Sequence, residues 1–319
     1  MQRSFSRIAV LALILLVLPV AAAAGTRIEK KLDLSSGGTF RLDTDAGSVS
    51  IVGRSSDGAE IVITSKRDDI EEHFKLSFED SSNEVRVRAE RRGSRVFNWF
   101  RSGPSLHFEI RVPKEVRVLV DTSGGRIELE AIDGDVDLDT SGGGITVEDV
   151  HGKVVADTSG GGIRIREVWG DVRADTSGGS ISISMIDGNV VADTSGGGIS
   201  MNDVSGDIVA NTSGGGINIE QAGGSVRADT SGGPVTVVFS PGNDAGGSLS
   251  SSGGRVTARI DPSVGLDIDA SSSGGSVRSD VPVTVRGSVS KTALRGRING
   301  GGAVLKLRSS GGGIRIESN

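Results

Sequence analysis

Between residues 121 and 240 the apolar positions recur in a fixed frame of 18 residues. Asp-Thr-Ser-Gly-Gly begins at Asp121, Asp139, Asp157, Asp175, Asp193 and Asp229, and Asn211 opens the same motif with an amide. Ile127, Ile145, Ile163, Ile181, Ile199, Ile217 and Val235 then occupy one column. Leu129, Val147, Ile165, Ile183, Met201, Ile219 and Val237 occupy a second, two residues on. A lone apolar residue and a glycine follow (Val150 and Gly152 in one frame), and then a Val/Ala pair such as Val154 and Ala156. Apolar spacing of two is strand alternation, so each frame predicts two short strands. The Ser-Gly-Gly corner joins them on one side, and the Gly corner joins them on the other. Glycine at both corners is expected to supply the positive φ of tight bends. The Thr that follows each Asp is expected to turn inward and pack its methyl at the corner, and the Asp itself to project outward.

One such frame buries almost nothing alone. Stacking frames at ~4.8 Å lets backbone hydrogen bonds run from coil to coil and turns every column into a ladder. The predicted fold is therefore all-β: a single-stranded parallel β-helix (β-solenoid) of flattened 18-residue coils, with a less regular N-terminal β cap. Residues 1–24 read as a signal peptide: basic Arg3 and Arg7, an apolar Ile8–Val20, and Ala22-Ala23-Ala24 at the cleavage site. Residues 25–120 read as the cap and degenerate coils, 121–240 as the regular array, and 241–319 as longer, irregular coils. Strands are expected at Glu60–Thr64, Phe74–Phe78, Glu84–Ala89 and Leu106–Val112 within a cap lying between the degenerate corners at Ser36 and Asp45 and the array.

Composition sharpens this picture. Forty-nine Gly without a Gly-X-Y period exclude collagen, and 3% aromatics with no Tyr force a thin core of Val, Ile and Ala. The absence of Cys excludes disulfides and a Cys-anchored lipoprotein. The net charge is −6, and losing Arg3 and Arg7 with the signal takes it to −8, which argues against nucleic acid as a partner.

No nucleophile, zinc, phosphate or dinucleotide motif is present, so no catalytic residue and no cofactor is assigned. His73, His107 and His151 are scattered and read as surface residues. The outward Asp column stacks like charges, and something must compensate. Local bonding of each Asp to corner N–H groups, as in an Asx-turn, is one answer. Ca²⁺ between coils is the other; its densest donor set is Asp133, Asp135, Asp137 and Asp139. The outward column Glu128, Thr146, Arg164, Ser182, Ser200, Asn218 and Thr236 is mixed, unlike the flat Thr rows an ice-binding face needs.

The Gly-Gly strand at Ser36–Leu42, the strand-corner-strand of Thr44–Val52, Arg111-Val112-Pro113 before the array, the Thr-Ser-Gly-Gly corners and the closing Ser309–Ile314 give the chain a clear likeness. It resembles the bacterial adhesin-like Toastrack β-solenoid family over essentially the whole mature chain. The resemblance implies an envelope or surface role, either adhesion or envelope-stress signalling.

The expected function is a non-catalytic, exported, adhesin-like binding or scaffold module of the cell envelope, periplasmic or at the surface. The alternatives are a carbohydrate-active or carbohydrate-binding β-helix protein, recognised by carboxylates clustered in a concave groove, and an accessory subunit of an envelope-stress system. The segment Arg95, Phe97, Trp99, Phe100 and Arg101 holds three of the ten aromatics. It reads either as a plug for the open end of the solenoid or as a tip contacting anionic lipid or an envelope partner.

Overall fold

The computed structural model describes residues 25–66, 69–92, 105–285 and 290–319. Two sheets of fourteen strands each make a stack about 60 Å tall. In the regular array the longer strands (Ile145–His151, Ile163–Trp169, Ile181–Asp187) build one sheet. The five-residue strands (Val154–Thr158, Val172–Thr176, Val190–Thr194) build the other. Pairing is parallel and coil-for-coil: Ile145 lies beside Ile163, Val150 beside Val168, and Ala156 beside Ala174. Large Ile and Leu from one sheet meet Val and Ala from the other, and both rows are almost completely buried.

A left-handed residue re-phases each long strand. Ala131, Asp149, Glu167, Met185, Asp203 and Gln221 all have φ between 56° and 61°. The extra residue lets Val150 or Val168, three positions after the last inward residue, also point inward. Such a backbone costs a side-chain-bearing residue about 1 kcal/mol, which the coil-to-coil hydrogen bonds on either side must offset.

The corner glycines serve two needs: Gly125, Gly152 and Gly170 have the positive φ the sequence suggests, and the rest of the Ser-Gly-Gly column serves a different one. Gly143, Gly161, Gly179, Gly197 and Gly215 do not have positive φ. They are required because each corner sits against the one before it: a Cβ on Gly161 would overlap the Gly143 carbonyl, and one on Gly179 the Gly161 carbonyl.

Both ends of the stack depart from sequence order. The strand pair Thr39–Thr44 and Ser48–Arg54 does not sit outside the cap. It is inserted between Glu84–Arg91 and Leu106–Pro113 on one side and Arg117–Thr122 and Ile127–Ile132 on the other. The cap strands therefore lie beyond the degenerate coil rather than between it and the array. At the far end the last strands, Ala303–Ser309 and Ile314–Ser318, slide between the coil at 247–260 and the strands Leu266–Ser272 and Val277–Ser279. Asp269 pins that intercalated coil. It accepts from Arg308 Nη2 at 2.7 Å, and this hydrogen bond holds its carboxyl below the usual range.

Antiparallel strands then close the sheets: Thr26–Leu32 on Ala59–Ser65, Phe74–Asp80 on Glu84–Arg91, and Ala293–Ile298 on Leu266–Ser272. The cap strands agree closely with those expected. Phe74 and Phe108 of these strands, with Phe40 of the inserted coil, supply apolar volume and are all essentially inaccessible.

The inward and outward assignments give a sharp test. Ile163→Asp places an unpaired charge between the sheets, where Ile163 is 2% exposed, and is expected to cost several kcal/mol. Arg164→Asp, on the exposed face, should change stability by less than about 0.5 kcal/mol. Urea melts of the two variants decide it; equal stability would mean the register is wrong.

Candidate functional site

A long concavity runs as a trench along the Ser-Gly-Gly edge. It encloses about 800 Å³ and runs from Asp139 to Ser252. Seven coils contribute, so it is about 30 Å long. One wall is the acidic column Asp139, Asp157, Asp175, Asp193 and Asp229 with Asn211; the other is the Ser column beginning at Ser159 and Ser177. The Thr residues between them form the floor.

The floor is what holds the trench in shape. Thr158 Oγ1 donates to the Gly143 carbonyl of the previous coil at 2.7 Å and accepts from Gly161 N–H of its own corner at 3.3 Å. Thr176 repeats the pair with Gly161 and Gly179 at 2.8 and 3.3 Å, and Thr194, Thr212 and Thr230 repeat the link to the coil before. Where the motif degenerates, Ser251, Ser272 and Ser309 take over the same bonds. The Thr thus turn inward as expected, but the hydroxyl rather than the methyl is the working part. It also takes the role expected of Asp: the corner N–H groups go to Thr Oγ1, not to an Asx-turn.

The Asp column is therefore left with its like-charge problem. Asp121, Asp157 and Asp175 have their carboxyls pushed above the usual range. Partial burial is the main cause, and neighbouring carboxylates of the ladder add to it. Relief is piecemeal. Arg173 pairs with Asp175 at 2.8 Å, Arg227 with Asp229 at 3.1 Å, and Asn211 Nδ2 donates to Asp193 at 2.7 Å.

A different side-chain-to-backbone ladder occurs at the other corner, from coil to coil rather than within an Asx-turn. Asp135 Oδ1 accepts from Lys153 N–H at 3.0 Å, Asp171 from Asn189 at 2.9 Å, Asn189 from Asp207 at 2.9 Å, and Asp207 from Ser225 at 2.8 Å. Its signal in the sequence is the column Asp135, Asp171, Asn189 and Asp207, each directly after a corner glycine.

The four candidate Ca²⁺ donors are Asp133, Asp135, Asp137 and Asp139. Asp135 is engaged as described, Asp137 and Asp139 project from Val136–Thr140, and Asp139 alone of the four lines the trench. Among the described residues no three His, Asp or Glu side chains are grouped so as to hold a metal ion. His73 contacts Asp69 at 3.0 Å, His107 contacts Ser48 at 2.7 Å, and His151 stacks on Trp169. Arg95, Phe97, Trp99, Phe100 and Arg101 lie outside the described residues.

With this coil architecture in view, the Toastrack DUF4097 family matches residues 39–317. The chain belongs to that family. Solved structures with a likeness to this Toastrack chain include a "putative adhesin" from Bacteroides fragilis, 11% identical over 91% of this chain and 97% of that one, with a TM-score of 0.36. A "putative lipid binding protein" from Parabacteroides distasonis is 11% identical over 92% and 97%, with a TM-score of 0.46. A "putative cell adhesion protein" from Clostridium sporogenes is 13% identical over 92% and 100%, with a TM-score of 0.28. No curated protein matches. Among the described residues of the Toastrack chain no helix is long and apolar enough to cross a membrane.

Two measurements test the trench. Thr176→Val keeps the shape but strands the Gly161 carbonyl and Gly179 N–H, and is expected to cost about 1–3 kcal/mol. Thr176→Ser should lose only the methyl, about 0.8 kcal/mol. Equal losses would mean that the hydroxyl bonds contribute nothing.

The second concerns pH. A carboxyl raised in the folded state binds its proton more tightly there than in the unfolded chain. Its stabilising contribution is complete below the unfolded value and is lost as pH rises through the folded value. The contribution of these three carboxyls should therefore fall as pH climbs from the ordinary Asp range towards neutrality, while carboxyls held low, such as Asp269, contribute in the opposite sense. Asp157→Asn should flatten that fall and gain about 0.2–1 kcal/mol at pH 7. Thermal melts from pH 3.5 to 7 check it; an Asn variant less stable at pH 7 would contradict the assignment.

Proposed function

We propose that this Toastrack chain is an exported, non-catalytic, adhesin-like binding or scaffold module of the cell envelope. The observation that carries the reading is the trench itself. It is a single file of alike carboxylates facing a file of Ser hydroxyls, repeated at one coil pitch. A glycoside-cleaving site needs two carboxyls in contrasting surroundings on opposite sides of the bond, one kept protonated and one ionised. Here the Asp stand on one wall, the Ser face them, and partial burial raises Asp157 and Asp175 in the same direction. Such a surface suits holding an extended ligand or partner rather than transforming it. The signal-like residues 1–24 support export.

Labelled mature chain should bind isolated cell envelopes saturably and release neither reducing sugar nor peptide. Asp157→Asn, Asp175→Asn and Asp193→Asn together should weaken that binding by roughly tenfold, about 0.5 kcal/mol per exposed charge. Absence of saturable binding, or steady release of reducing ends, would overturn the reading.

A further inference from the structure

On the edge opposite the trench, the residue that ends or directly follows each long strand forms a column: Asp133, His151, Trp169, Asp187, Ser205 and Gly223. In a chain with 3% aromatics, two rings stand next to each other in it. His151 and Trp169 are register partners on neighbouring coils, with centroids 4.3 Å apart and planes 25° from parallel. Trp169 is 47% exposed, so the indole is not there to fill a core. Its backbone is fixed: the Trp169 carbonyl accepts from Gly152 N–H at 3.1 Å, and the Gly170 that follows is packed against the Gly152 carbonyl.

Side-chain size then falls along the column, from indole through carboxylate and hydroxyl to no side chain at all. One face of the indole is covered by the imidazole. The next coil places Asp187 in register with Trp169 on the other side, so the drop in side-chain size leaves that face as the wall of a shelf. Polar groups border that shelf. Asp187 is exposed and accepts from Ser205 Oγ through one oxygen at 2.8 Å. Asp171 and Asn189 are exposed beside it, with Asn189 held by Asp171 through both its backbone and its side-chain amide.

An apolar ring face bordered by carboxylates suits few ligands. The ring pair is too small for the core of a stable protein interface, which needs about 800 Å² per partner with charge depleted from its centre. The surrounding Asp repel an anionic lipid surface. A pyranose meets both requirements: its C–H face packs on an indole, and its hydroxyls donate to carboxylates. The geometry points to a saccharide-binding shelf built on Trp169, with His151 as the backing ring and Asp187 as the hydroxyl acceptor. Sugars whose ring substituents are all equatorial, such as β-1,4-linked gluco-configured units, leave the flat face that this wall requires. The inference is independent of the trench.

The test uses chitotetraose and cellotetraose against the mature chain, following the indole N–H resonance of Trp169, assigned by its disappearance in Trp169→Phe. A saturable shift with a Kd of about 1 mM is expected for a single open shelf. Trp169→Ala should weaken binding by more than about tenfold, and Asp187→Ala and His151→Ala several-fold each, with melting temperatures close to that of the parent. The triple Asn variant of the trench should keep the response, which separates this site from the one proposed above. A Trp169 resonance unmoved by both sugars would overturn the proposal. So would undiminished binding by Trp169→Ala and Asp187→Ala, or a shift that tracks self-association of the chain instead of sugar.

Discussion

Every coil of this molecule must lie within hydrogen-bonding distance of the coil before it along its whole path, corners included. That constraint fixes the rest. At the corners it leaves no room for a Cβ, and so demands the Gly143, Gly161 and Gly179 column. It brings Thr158 Oγ1 close enough to the Gly143 carbonyl to bond across the coils. It also obliges the long strands to carry a left-handed residue, because only an offset in phase lets both Val147 and Val150 face a core this thin.

The same pitch that builds the fold creates its electrostatic tension. A column that must repeat places like beside like, and the Asp row cannot spread its charges without breaking register. Relief comes from outside the repeat: arginines two residues before Asp175 and Asp229, and an amide at Asn211. Partial burial of Asp157 and its neighbours adds to the tension. A surface maintained against such a cost, over several coils, is the reason for reading the trench as functional.

Much of this was legible in the sequence. Spacing of two within Ile145/Val147 and Val154/Ala156 gave the strands, and the constant 18-residue frame gave their stacking. What stayed hidden depends on distances between coils. Whether a corner N–H is met by Asp or by Thr is decided by less than the length of a side chain, and both residue types cap turns. At Gly143, Gly161 and Gly179 the need for glycine arose from a carbonyl of the neighbouring coil, not from local φ. The coil-to-coil ladder at the second corner had a readable signal in Asp135, Asp171, Asn189 and Asp207, less conspicuous than the Asp-Thr-Ser-Gly-Gly motif. The positions of the Thr39–Arg54 and Ala303–Ser318 segments were not readable at all. A degenerate coil carries the same alternation whether it ends a stack or is inserted within it.

That insertion has a consequence for how such a molecule can vary. Because the coil at Thr39–Arg54 and the coil at Ala303–Ser318 are each clasped between others, neither can peel away as a terminal turn, whereas the edge strand Thr26–Leu32 is held on one side only. The regular coils between the clasps are interchangeable layers. A gain or loss of 18 residues there would change the height by one step of ~4.8 Å and leave both clasps untouched. The fold is in effect a spacer of adjustable gauge, whose reach is written in the number of repeats while its two fittings stay the same.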